Sequence, residues 1–295
     1  MGSIMTVAAE VRPPVTQLPP ADDLPLTVIE PRPGWQVVNF REIWRYRELL
    51  YFLVWRDVKV RYKQTVLGAG WAIIQPLITT FAFTIVFGRF GGMAKQVQGP
   101  YALYVFVGML PWTFFTNAVM AASNSLVGSS HLISKVYFPR IIIPTAAIAV
   151  GLVDFAVSFV VMLLMMAFYG VAPTWSMLLL PVFLLGTIVS AAGAGIIFAA
   201  LIVTYRDVRY IMAFVMQLWL FASPVLYNLE IIPMKFHTLY ALNPMAGMIA
   251  GFRASVLGGP YPERVILIST ISALVMFAAG VRFFLQVERR FADVI

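Results

Sequence analysis

A basic cluster lies directly ahead of the first long apolar stretch of the sequence. Arg56, Lys59, Arg61 and Lys63 fall within eight positions, and cations this close together can hold an anionic lipid headgroup. Because positions 56, 59 and 63 share one face of a helix, we predict that Arg56, Lys59 and Lys63 form a phosphate-binding set. Arg61 is then an anchor or a partner for Asp57. Anchoring of all four side chains in the membrane interface explains the cluster equally well.

The sequence lacks the signatures of catalytic chemistry. It contains no G-x-x-x-x-G-K-[S/T] segment that would cradle a nucleotide phosphate. It has no cysteine, and His131 and His237 lie far apart without neighbouring acids. We therefore predict no catalytic residue, no metal site and no cofactor. Any ATP hydrolysis that drives this protein has to come from a partner.

Asp154 is an acidic residue near the middle of a long apolar stretch. An unpaired carboxylate at that depth would cost several kcal/mol. It must therefore face the interior of the helix bundle or water, or be protonated. We predict a structural hydrogen bond rather than a proton relay, because a relay needs further ionisable groups in the apolar stretches.

The composition predicts an all-α polytopic membrane protein with six transmembrane helices. Of 295 residues, 61% are hydrophobic and 12% are charged, which leaves too little charge to cover a water-facing surface. In a membrane protein, the net charge of +8 marks cytoplasmic loops and not nucleic-acid binding. A helix needs about 20 apolar residues to span the bilayer. The predicted spans are Leu67–Phe90, Tyr101–Ala122, Pro144–Tyr169, Met177–Tyr205, Tyr210–Tyr227 and Val265–Leu285.

The distribution of Lys and Arg predicts the orientation. With the N-terminus inside, 16 of the 21 basic residues lie in cytoplasmic segments and five lie outside. Positively charged loops stay in the cytoplasm. We therefore predict a multi-pass membrane protein with both termini cytoplasmic.

Three further segments accompany the spans. Residues 1–39 are rich in proline and predict a disordered cytoplasmic tail. Residues 40–63 mix charges with tryptophans and predict an amphipathic interfacial helix ahead of the six-helix transmembrane domain, residues 64–295. An ordinary cytoplasmic helix packed on protein is the alternative for residues 40–63. Residues 228–262, which include the helix-start pair Asn243-Pro244, predict a re-entrant helix pair outside.

Several motifs together resemble the type-2 ABC transporter permeases that export polysaccharides such as O-antigen, teichoic acid and capsule. They extend in order over about residues 40–290. The matching segments are Trp55–Lys63, Gly68–Trp71, Gln75-Pro76, Gly108–Phe115, Ser129–Arg140, Tyr205–Arg209, Ser223–Tyr227 and Asn243-Pro244.

This resemblance implies the function and the partners. It implies export of a lipid-linked glycan across the bacterial inner (plasma) membrane, as in lipopolysaccharide biosynthesis. A separate ABC ATPase that contributes two copies would drive the export. Two copies of the chain would complete the path as a C2 homodimer. The loop 123–143 would dock on the ATPase, and its ATPase-coupling residues would be Ser129, Lys135, Tyr137, Phe138 and Arg140.

Aromatic residues on spans two and five are candidates for the polymer path. Ring faces can contact the C–H faces of sugars without gripping one hydroxyl pattern, so a chain can slide. The candidates are Phe114, Phe115, Trp219, Phe221 and Tyr227. Lipid contact in the interfacial belt is the alternative explanation for each ring.

Other functions remain open at this stage. A type-2 ABC exporter of a drug or small lipid would show the same spans. An ion-coupled secondary transporter would require inverted repeats, broken helices and several buried ionisable groups. A membrane-embedded transferase would require paired acids or metal ligands near the surface.

Overall fold

The computed structural model describes residues 44–63, 70–97 and 99–288, and this part of the chain is helical without a strand. Its α-helices, numbered in chain order, are α1 (Arg47–Lys63), α2 (Gly70–Phe83), α3 (Tyr101–Gly128), α4 (Ser130–Lys135), α5 (Ile142–Tyr169), α6 (Leu180–Thr204), α7 (Val208–Phe221), α8 (His237–Ala241), α9 (Pro244–Leu257) and α10 (Glu263–Val287). A π-helical segment, Thr84–Phe90, extends α2. The predicted all-α class is confirmed.

Five helical segments in the described residues are long and apolar enough to cross a membrane. They are Gly70–Phe90, Tyr101–Gly128, Ile142–Tyr169, Trp175–Thr204 and Glu263–Val287. Each overlaps one of the predicted spans. The protein is therefore a multi-pass membrane protein.

The remaining predicted span, Tyr210–Tyr227, differs from the structure. Here α7 ends at Phe221 after 14 residues, which is about 21 Å and shorter than the ~30 Å of hydrocarbon. The helix ends because Pro224 cannot continue it and disfavours helical backbone just before it. The count of six spans stays a prediction.

Small residues allow the central helices to pack closely. Helix α3 is the most buried of the long helices and packs against α5 and α6, while α6 also packs against α10. A Cβ atom on Gly195 would lie 2.8 Å from the Cβ of Ala122, and one on Gly193 would lie 2.8 Å from the backbone nitrogen of Phe277. Because a larger side chain at either position would separate the helices, these glycines are required for the close approach.

Helix α1 lies beside α5. Leu53 is 3% exposed and belongs to one apolar cluster with Ile143 and Ala146 of α5. The opposite side of α1 exposes Phe52 and Trp55. Exposed aromatic side chains are typical of a helix at a membrane interface, but the interfacial location itself stays a prediction. Residues 1–43 of the predicted tail and helix lie outside the described part.

The segment between α7 and α10 forms short helices at the predicted outer face. The side chain of Asn243 accepts a hydrogen bond from the backbone nitrogen of Met245 at 3.0 Å, which caps α9. The predicted helix start at Asn243-Pro244 is therefore confirmed. With 14 residues, α9 is too short to cross the membrane alone.

Candidate functional site

A groove of about 370 Å³ lies between α1, α3 and α5. Its α5 wall consists of small and apolar residues, including Ile143, Ala147 and Gly151. The α1 wall carries charge and the α3 wall carries amides and hydroxyls. Its polar lining residues are Arg56, Asp57, Arg61, Asn117, Asn124, Ser125 and Ser129.

The structure divides the predicted phosphate-binding set. Arg56 lines the groove, and its Nε donates to Asp57 at 2.8 Å. Lys59 and Lys63 are exposed and are not among the lining residues, whereas Arg61 is. The packing of Leu53 against α5 turns the side of α1 with Arg56, Asp57 and Arg61 toward the groove. Phosphate binding by the predicted set stays a prediction.

The Asp154 carboxylate of α5 is bound by two neighbouring residues of α1. Arg61 Nη1 lies 2.5 Å from one carboxylate oxygen, and the Tyr62 hydroxyl donates to the other. Burial, together with the hydrogen bond to Asp154, raises the pKa of Tyr62 to about 12, so this hydroxyl keeps its proton at neutral pH. The predicted structural hydrogen bond of Asp154 is therefore confirmed. Asp57, for which Arg61 was a candidate partner, pairs with Arg56 instead.

The predicted coupling loop exposes some of its candidate residues and buries others. Lys135 and Tyr137 are exposed, the latter by 80%, and Ser129 is partly exposed at the junction of α3 and α4. Phe138 is 5% exposed and packs into the cluster of Leu53. Its ring is therefore an internal anchor of the loop and is not available to a partner.

Arg140 connects this loop to the end of the described chain. Its Nη1 donates to the backbone oxygen of Glu288 at 2.6 Å, and its backbone nitrogen donates to Glu288 Oε1 at 3.2 Å. These bonds attach the loop to the residues that follow α10. Arg140 therefore stabilises the loop within the chain.

The candidate path aromatics also separate by burial. Phe114 and Phe115 are 3% and 0% exposed; Phe114 packs edge-on against Phe155 and Phe115 against Trp219. Their assignment to a polymer path is therefore corrected: both rings lie in the core. By contrast, Trp219 and Tyr227 are partly exposed, and Phe221 is 50% exposed.

Sequence reasoning missed the polar wall that α3 contributes to the groove. Asn117, Asn124 and Ser125 lie on one helical face with the small residue Ala121. The signal was present as spacings of four, seven and eight residues within an otherwise apolar span. No cluster of metal-ligating side chains occurs in the part of the chain that the structure describes.

Comparisons with known proteins agree with this architecture. The model of the ABC-2 type transporter family matches residues 48–257. The O-antigen export system permease protein RfbA of Myxococcus xanthus is 31% identical over 244 residues, 81% of this chain and 93% of that protein. RfbA of Klebsiella pneumoniae is 28% identical over 250 residues, covering 84% and 95%.

A more distant relative is also named as a polysaccharide transporter. The polysialic acid transport protein KpsM of Escherichia coli is 23% identical over 228 residues, 72% of this chain and 82% of that protein. The family match covers more than half of the chain, and these relatives align along most of their own length. The chain therefore belongs to the ABC-2 type transporter family, as a membrane permease of the polysaccharide-export kind.

Proposed function

We propose that this permease moves a lipid-linked polysaccharide, of the O-antigen kind or a similar cell-surface glycan, outward across the inner membrane. A separate ABC ATPase supplies the energy. The observation that carries the proposal is the groove between α1, α3 and α5, where two guanidinium groups face a wall of amides and hydroxyls. Such a groove combines the donors that bind a phosphate with the polar groups that bind a sugar.

The groove fits the headgroup of an amphiphile. Arg56 uses its Nε for Asp57, and a guanidinium has five N–H donors, so donors remain for a phosphate oxygen. Asn124 and Ser125 supply polar contacts on the opposite wall, while an acyl or prenyl tail would stay in the lipid. We assign Lys59 and Lys63 to long-range attraction toward an anionic surface.

Single substitutions on α1 test this entry site. We expect Arg56→Gln and Arg56→Lys to reduce glycan export at least tenfold, because lysine keeps the charge but loses the planar fork that binds a phosphate. Lys59→Gln and Lys63→Gln should reduce export less than twofold. The measurement is surface glycan at matched membrane levels, with Lys235→Gln as the control.

Two outcomes would contradict the entry site. If Arg56→Lys exports normally, a positive charge is sufficient and anchoring explains the cluster. If Lys59→Gln is as harmful as Arg56→Gln, the groove does not select among the basic residues. In either case the family assignment would stand and the site would have to lie elsewhere.

We further propose that two copies of the chain and two ATPase subunits form the exporter. The accessible path candidates are Trp219, Phe221 and Tyr227, on α7 and just after it. Helix α7 also exposes Phe214 and Leu218. A path at the edge of one chain needs a second wall, and a second copy related by a twofold axis provides it.

The orientation can be tested with single cysteines. The sequence has none, so we expect Thr238→Cys to react with a membrane-impermeant maleimide in right-side-out vesicles. Ser130→Cys should react only after the vesicles are opened, because the basic loops are predicted to be cytoplasmic. Labelling of position 130 but not of position 238 in sealed vesicles would reverse the topology.

A further inference from the structure

The backbone between α7 and α9 leaves the helix at residues 222–226, and side chains bind carbonyl groups of this segment and of Phe221. A helix that ends within a membrane protein has several carbonyls without helical partners. Each bond is 2.7–2.9 Å long. They run from Tyr227 to Phe221, from Asn243 to Ala222, from Arg253 to Pro224 and Val225, and from Tyr101 to Leu226.

Arg253 of α9 makes the central pair of these bonds. Its side chain is 8% exposed, and within the described residues no carboxylate pairs with it. Nη1 donates to Pro224 O and to the Tyr104 hydroxyl, and Nη2 donates to Val225 O. The guanidinium also lies 3.6 Å from the centroid of the Tyr104 ring. Nε has no hydrogen-bond partner.

Helix α3 is shaped to receive this guanidinium. A Cβ atom on Gly108 would lie 2.3 Å from Arg253 Nη2 and 3.0 Å from Val225 O. Tyr104 lies one turn before Gly108 and Tyr101 two turns before it, on the same side of α3. Glycine at 108 is therefore required by the close approach of the arginine and the broken backbone.

A buried cation without a counter-charge is costly, and an apolar side chain of similar volume would fill the space at lower cost. The bound carbonyls are flanked in sequence by Phe221 and Tyr227, which we assign to the path. Release of the carbonyls would therefore move both rings. The planar guanidinium of Arg253 is also needed, because a lysine ammonium cannot donate to two carbonyls and stack on a ring at the same time.

We propose that Arg253 is a positioning residue that holds residues 222–226, and with them Phe221 and Tyr227, at the outer end of the export path. The proposal rests on the proposed function for the location of that path. Its test uses accessibility of the backbone segment, which does not require any glycan. A failure of the test is therefore distinguishable from a failure of the proposed function.

The experiment places one cysteine at the buried position Val225, which is 0% exposed. In right-side-out vesicles, we expect Val225→Cys to react with an impermeant maleimide at least tenfold faster when combined with Arg253→Lys or Arg253→Gln. Gly108→Ala should produce the same change, since its methyl group displaces the unaltered guanidinium. Arg264→Gln, at an exposed arginine at the start of α10, is the matched control and should leave the rate unchanged.

Glycan export is measured in parallel at matched membrane levels. We expect export to fall at least tenfold in Arg253→Lys and Gly108→Ala, while ATP hydrolysis by the assembled exporter stays within twofold. If Val225→Cys reacts as slowly in Arg253→Lys as it does with arginine at 253, the bonds of the guanidinium to the two carbonyls do not hold the segment, and the proposal is wrong. If Arg253→Gln does not insert into the membrane, the test depends on Arg253→Lys and Gly108→Ala. Slow labelling of Val225→Cys together with normal export in both of these variants would overturn the proposal.

Discussion

Arg61→Met is expected to destabilise the protein by about 2 kcal/mol, because it leaves the Asp154 carboxylate without its ion partner among packed helices. Breaking a fully buried pair costs about 3–5 kcal/mol. The expected loss is smaller here because the side chains of Arg61 and Asp154 are 43% and 21% exposed and solvent screens part of the interaction. Thermal unfolding of the detergent-purified protein measures it.

Asp154, the other member of the ion pair, supplies the control. Adding Asp154→Asn to Arg61→Met removes the stranded charge, so the double variant should recover most of the lost stability. Arg56→Met is the matched single change, because its partner Asp57 is 39% exposed and lies on the same helix. We expect it to cost less than about 1 kcal/mol. Equal losses for Arg61→Met and Arg56→Met would show that the contact between α1 and α5 does not depend on this ion pair.

Lys135→Glu combined with Tyr137→Ala is expected to abolish copurification of the ATPase and to reduce export more than tenfold. Both side chains are exposed on the loop proposed to dock on the ATPase. Loss of an aromatic hot spot costs about 2 kcal/mol, and a reversed charge at an interface adds a repulsive contribution. The stability of the isolated permease should not change. Pull-down with tagged permease and surface glycan are the two measurements.

Substitutions at other sites distinguish a loss of docking on the ATPase from a loss of folding. Phe138→Ala should lower thermal stability, because it removes a buried ring. Arg209→Glu with Tyr205→Ala alters two exposed residues where α6 connects to α7 and should have the smaller effect on copurification. If the Lys135 and Tyr137 double variant retains the ATPase and exports normally, residues 129–140 are only a connector.

Local features of the sequence determined the helical class, the positions of five long apolar helices and the cap at Asn243. They also supported the family, because its motifs are short segments in a fixed order. These properties depend on composition and on near neighbours in the chain. Transfer from water to hydrocarbon decides which stretches can lie in the membrane, and residue types at a helix start decide the cap.

The tertiary structure decided which side of each helix faces the protein. Protein core and lipid are both apolar surroundings, so periodicity does not distinguish core from lipid contact for an apolar side chain. Phe114 and Phe115 could therefore not be assigned to the core in advance. Arg61 meets a partner 93 residues away. Arg253, counted from the sequence as one more outer charge, is buried by the turn after α7 and by a glycine on α3. Such pairings depend on how separate helices pack, because neither partner carries a local signal of the other.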